Sequence, residues 1–212
     1  MRASYDQSAR ALRAELRTRI GEAELRRLHR RSGWRHARVA LRQLGLLAIA
    51  VFVILRWGDR AIAWVPASIG IGFVVFSWTV LLHEVVHGTI TARARPRLRR
   101  LLGTLYAMPS GLAASQFTRW HLDHHQWLGN DVGDPKRQFL TPRRKSRWFK
   151  ALYLTPALFP IYFRAAKRAA ADYPVDLQRQ IRRERWLSIL FHLGLLTSLI
   201  LGLGWPLAWK LY

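Results

Sequence analysis

The 212-residue chain is half apolar and contains ten Trp, yet it carries a formal net charge of +23. It has no cysteine, which excludes disulfides, thiolate-bound zinc, iron–sulfur clusters and a thiol nucleophile, and leaves nitrogen and oxygen donors for any metal. The apolar residues are gathered into long uncharged runs with the arginines between them, as expected of a chain built for two solvents.

The first twenty residues, MRASYDQSARALRAELRTRI, are charged throughout and have no apolar core ahead of a small-residue cleavage site. That is not a secretory signal peptide. Ala9, Leu12, Leu16, Ile20 and Ala23 recur at helical spacing with arginines between them, which predicts a basic amphipathic helix, either solvated or lying on a membrane surface. Residues 1–43 are read as this basic N-terminal segment, ahead of a membrane domain over 44–212. His29 and His36, in its arginine-rich part, read as surface residues.

Leu44 to Leu55 is a short apolar run, extended to a plausible crossing if Arg42 and Arg56 snorkel at its ends. Ala61 to Leu82 is 22 residues without a charge. A helix of that length is about 33 Å long, enough to cross a hydrocarbon core. The two form a helical hairpin. Residues 148–163, WFKALYLTPALFPIYF, are aromatic-rich with two prolines and suit an interfacial segment. Leu187 to Trp209 is a further uncharged run of 23 residues, with His192 its sole titratable group. Gly204-Trp205-Pro206 reads as a turn at its far side, with Leu207–Tyr212 opening another span. The fold class expected is all-α, a multi-pass helical membrane protein.

A basic chain can be a nucleic-acid binder, but that leaves the apolar runs unexplained, and no nucleic-acid partner is expected. Of 35 basic residues, only Arg56, Arg60 and Lys210 lie on the hairpin turn or at the far C-terminal end. The positive-inside rule then places the N-terminus, and all the other basic residues, in the cytoplasm. The membrane expected is a bacterial inner membrane.

Five of the eight histidines fall between positions 83 and 125. His83-Glu84-Val85-Val86-His87 ends the Ala61–Leu82 span, and its i, i+4 spacing sets both imidazoles on one helix face, where they can share a metal. The string is also a literal HExxH, the zinc metalloprotease signature. An intramembrane protease of the site-2 type takes its third ligand from an Asp in a later LDG motif, and none occurs here. His121-Leu122-Asp123-His124-His125 is a second cluster, for which packing offers a poor reason. Both clusters fall on the cytoplasmic side.

From HEVVHGT through the basic stretch Arg93–Arg100 and LLGTLYAMPSG to FTRWHLDHHQWLGNDVGDP, the chain resembles the histidine-box region of the membrane fatty acid desaturases. Asp131, Asp134 and Pro135 match the acidic residues near a proline that follow the second box in that family. The resemblance covers roughly residues 40 to 210. It implies a di-iron centre with His83, His87, His121, His124 and His125 as ligands and O2 as co-substrate, acting on an unactivated C–H bond. No catalytic residue beyond the ligands, and no further cofactor, is assigned. The partners implied are a lipid acyl chain, the bilayer, and a cytoplasmic ferredoxin- or cytochrome b5-like electron donor.

The same boxes serve lipid and carotenoid hydroxylases and ketolases, so those reactions stay open. An HExxH zinc intramembrane protease and a non-catalytic basic membrane protein stand as other readings. Glu84 and Asp123 are candidates to orient the imidazoles, Asp131 and Asp134 to cap a turn around Gly133, and Trp120 to pack. His192 is left outside the site. The family's third HxxHH box is not found, since only His192 follows His125, and the chain is expected to be C-terminally incomplete with its metal under-ligated.

Overall fold

The computed structural model describes residues 5–28, 32–90, 96–140, 147–152, 155 and 157–212. Among these there is no strand. The chain is an all-α, multi-pass membrane protein with three helices long and apolar enough to cross a bilayer, one ending at Trp57 and the others Ala61–Val86 and Val175–Leu203.

Helices α1 (Tyr5–Arg19) and α2 (Glu22–Leu28) occupy the N-terminal segment, broken at Gly21. Leu12 and Leu16 are exposed on α1, which leaves its apolar stripe uncovered. Helix α3 (Gly33–Trp57) starts well before the apolar run, because the Ser32 hydroxyl accepts the Arg35 N–H at 3.3 Å and caps its first turn. Helix α4 (Ala61–Val86) follows after a tight connection. Its hydroxyls are bonded back to the helix, Ser77 to the Val74 carbonyl at 2.7 Å and Thr79 to that of Phe76 at 2.6 Å. Self-satisfied hydroxyls can face hydrocarbon. Phe52, Ile62, Phe73, Phe76, Leu190 and Leu201 are all more than half exposed on α3, α4 and α9, a distribution that suits lipid and not water.

The remaining helices are α5 (Pro96–Ala107), α6 (Ala114–Gln126), α7 (Arg147–Ala151), α8 (Leu158–Ala169), α9 (Val175–Leu203) and α10 (Trp205–Leu211). The expected interfacial stretch 148–163 divides between α7 and α8. Gly204, at φ +76°, ends α9 and starts α10, as the Gly-Trp-Pro string predicts.

The chain divides into two compact units. One comprises residues 30–114 and 181–212: the α3–α4 hairpin, α5, most of α9, and α10. Ile54, Val74, Leu81, Leu82, Val85 and Tyr106 form its core. At the hairpin end the Lys210 ammonium donates to the Gly58 carbonyl at 2.6 Å and lies over the Trp64 and Trp209 rings. Such a cluster of cation and aromatic rings suits a membrane interface. The other unit comprises residues 1–29 and 115–180. Trp120, Ala165 and Ala166 are its core, with Phe139, Leu140 and Tyr162 packed on them, and the Gln116 amide donates to the Ala166 carbonyl at 2.6 Å. Trp120 is therefore a packing residue, stacked on Tyr162 at 5.3 Å.

His36 is not a surface residue: it is 6% exposed, packed beneath α4 and α5. His29 lies outside the described residues.

Candidate metal centre

The first box sits on the last turn of α4. His83 and His87 stand one turn apart with ring centroids 4.5 Å apart at 61°, and their ligand nitrogens lie within 4.8 Å of each other. The helix is closed directly after them. Gly88 takes φ +64°, its N–H bonds the Val85 carbonyl at 3.1 Å, and the Thr89 N–H bonds the Glu84 carbonyl at 3.2 Å. This is a Schellman ending, which only a residue free to take positive φ accommodates without strain. Glycine after the box is thus what stops α4 at His87.

The second box lies on α6, and its HxxHH string resolves into two different functions of position. His121 and His125, four apart, repeat the first box's geometry, with centroids 4.4 Å apart at 64° and ligand nitrogens within 4.8 Å. Phe117, one turn earlier, stacks on His121 at 5.5 Å and 3°. His124, its ring 5.8 Å from that of His125, is bonded to Asp134. Its Nδ1 lies 2.8 Å from Asp134 Oδ1.

Asp134 is 1% exposed and held rigidly: Oδ2 accepts the Gly129 N–H at 3.0 Å and Oδ1 the Lys136 N–H at 2.9 Å. Burial alone would raise this carboxyl, but those amides and His124 outweigh it and hold it below the usual carboxylate range. An ionised carboxylate only accepts, so His124 donates from Nδ1, which leaves Nε2 as the atom a metal would take. That is the arrangement of a metal-bound histidine braced by a carboxylate.

The expected turn cap is only partly Asp134. Asn130 caps the turn instead, its side-chain oxygen accepting the Val132 and Gly133 N–H groups at 2.9 and 2.8 Å. Asp131 is paired with Arg137 at 2.8 Å on the surface, Asp123 with Arg119 at 2.8 Å, and Glu84 with His36 at 2.7 Å. Asp134 braces a box imidazole, His124, a role its sequence position beside Pro135 does not reveal.

His192 is occupied by structure. Its Nε2 donates to the Met108 carbonyl at 3.1 Å, which leaves Nδ1 to accept the Tyr212 hydroxyl at 3.1 Å. With both nitrogens engaged it offers no lone pair to a metal.

The fatty acid desaturase family profile matches residues 59–212. The chain belongs to the fatty acid desaturase family. It is 30% identical over 153 residues to the sphingolipid delta(4)-desaturase/C4-monooxygenase DES2 of Bos taurus, covering 63% of this chain and 45% of that one. It is 30% identical over 129 residues to the Homo sapiens DES2, covering 55% and 39%. Against the sphingolipid delta(4)-desaturase DES1 of Xenopus tropicalis it is 32% identical over 93 residues, covering 40% and 28%. The chain spans less than half the length of these curated relatives. No solved structure matches it. Both histidine boxes and Asp134 fall within the desaturase-matched region.

Proposed function

We propose that this chain is part of an O2-dependent oxidoreductase acting on C–H bonds of a long-chain lipid, with His83, His87, His121, His124 and His125 holding the iron of a di-iron centre. The observation that carries this reading is the recurrence of one pair geometry. Two i, i+4 imidazole pairs, on α4 and α6, match within 0.1 Å in centroid separation and 3° in angle.

The donor set fits iron. All five groups are imidazoles, which suit iron and leave positions for O2. His124 is held through Nδ1 by Asp134, which leaves Nε2 for the metal. Bound iron supplies O2 activation and hydrogen abstraction from an unactivated methylene. The chain holds the imidazoles at fixed rotation by closing α4 at Gly88 and by packing Phe117 on His121. It also supplies apolar helices, from which a lipid chain enters without leaving hydrocarbon. Desaturation consumes O2, two electrons and two protons and yields an alkene and two waters. Hydroxylation of the same C–H bond yields an alcohol and one water. The relatives' names cover both outcomes, and a sphingolipid backbone is the first substrate to try.

The protease reading is disfavoured by Glu84. An HExxH base must face the metal-bound water, whereas Glu84 Oε2 is bonded to His36 Nδ1 at 2.7 Å. We also propose that the boxes and N-terminus are cytoplasmic, where the basic surface docks an acidic electron donor of the ferredoxin or cytochrome b5 kind.

The test uses membranes containing the complete enzyme of which this chain is proposed to be part, supplied with a sphingolipid, O2, a reductant and a candidate donor. Mass spectrometry should show lipid that has lost two hydrogens or gained one oxygen atom, and none under argon. Product formed equally without O2, or cleavage of a peptide bond in its place, would contradict the proposal.

A further inference from the structure

His36 lies outside both boxes, in an arginine-rich stretch that looks solvated, yet it is 6% exposed and both of its ring nitrogens are engaged. Nδ1 is 2.7 Å from Glu84 Oε2, and Nε2 is 2.9 Å from the Tyr106 hydroxyl. A carboxylate only accepts, so Nδ1 donates to Glu84, while Nε2 shares a hydrogen bond with the Tyr106 hydroxyl. Burial, and then the Glu84 charge, push the Tyr106 phenol up, so it stays protonated. Tyr106 is itself packed edge-on to Trp78 at 5.7 Å. One imidazole therefore joins α3, α4 and α5.

What it holds on α4 matters most. Glu84 shares a single turn with the first histidine pair, about 100° around the helix from His83 and about 60° from His87. That turn is the end of α4, closed by Gly88, with no further helical turn to stiffen it. A carboxylate clamped there sets the turn's rotation. A second contact brings the start of α3 to the same place: a Cβ on Gly33 would lie a tight 3.3 Å from the Ile90 carbonyl, so α3 starts close against the backbone leaving the box.

We infer that His36 is a positioning residue for the metal centre, holding Glu84 so that His83 and His87 keep the rotation at which both face the metal. This rests on the proposal that the box histidines hold iron.

The two nitrogens of His36 can be imitated separately. An Asn amide nitrogen occupies the place of Nδ1 and still reaches Glu84, whereas a Gln amide reaches the place of Nε2, toward Tyr106, and releases Glu84. The full chain and its His36→Asn and His36→Gln variants are purified in detergent. Iron per chain and the Mössbauer spectrum are then read at matched helicity and monodispersity. His36→Asn should keep its iron within about twofold and keep the wild-type spectrum. His36→Gln should lose about tenfold or more in iron affinity, the usual effect of releasing a group that supports a ligand. Glu84→Ala, which cuts the tether from its other end and leaves α3 intact, should match His36→Gln even if that variant folds poorly.

Iron in the wild type with equal iron in all three variants overturns the inference and leaves the metal reading standing, as does equal loss in His36→Asn and His36→Gln. A wild-type chain that carries no iron overturns both.

Discussion

Asp134 accepts three hydrogen bonds on two oxygens, and two of the donors, the Gly129 and Lys136 backbone N–H groups, sit on different oxygens and cannot turn around. An Asn in its place must point its NH2 at one of them. Asp134→Asn is therefore expected to lower stability by about 1–3 kcal/mol through an unsatisfied buried donor, seen as a lower thermal midpoint in detergent. It should also loosen His124. An unchanged midpoint would mean that Asp134 is not the rigid brace described.

Tyr173 makes the opposite case. Its hydroxyl is buried with no hydrogen-bond partner among the described residues, and burial, with Asp123 opposing ionisation further, pushes it up to about 12. Nothing is lost with the hydroxyl, so Tyr173→Phe should leave stability within about 0.5 kcal/mol at pH 8. The sign of its pH effect follows from linkage. The unfolded phenol titrates near 10 and the folded one near 12, so its contribution is complete below pH 10 and is lost as pH rises from 10 to 12. The thermal midpoint of Tyr173→Phe should accordingly fall less over that window than that of the wild type. A parallel fall in both would assign the alkaline loss to other groups.

Among the elements, the α3–α4 hairpin depends on one position. A Cβ on Gly58 would run into the Ile54 carbonyl and come within 2.9 Å of Leu207 on α10. Leu207 can turn aside, but the carbonyl cannot. Gly58→Ala is expected to cost about 1–3 kcal/mol by overpacking, read again as a thermal midpoint. Gly45→Ala, on the same helix with nothing within 4 Å of its Cβ, should not destabilise.

The boxes were legible in sequence because i, i+4 spacing fixes a shared helix face locally, whatever surrounds the helix. The spans were legible because length and lack of charge suffice. His36 was not, since its partners lie 48 and 70 residues away and its neighbours in sequence are arginines. Asp134 was half legible. Its place after the second box showed, but its bond to His124 depends on a turn that Gly129 and Asn130 shape in three dimensions.

For the molecule as a whole, the proposed topology puts the basic residues on one side of the spans, because in sequence only Arg56, Arg60 and Lys210 fall on the hairpin turn or at the far C-terminal end. Tags at residue 1 and within 136–147 should then be inaccessible from outside intact cells, while a tag at Gly58 should be labelled. Equal labelling at Gly58 and residue 140 would contradict the hairpin topology. A donor docked by charge should also bind less tightly as salt rises, since surface attraction is screened within about 10 Å at 0.1 M.

The central claim is that two imidazole pairs and a carboxylate-braced His124 hold iron, and elemental analysis of the purified chain and its variants tests it most directly. The wild type should carry iron in preference to zinc as isolated from cells. Substituting His121, His124 or His125 with Ala should lower metal content as much as substituting His83 or His87. Zinc in the wild type, retained in full by the His124→Ala/His125→Ala double variant, would contradict the account and return the first box to the protease reading.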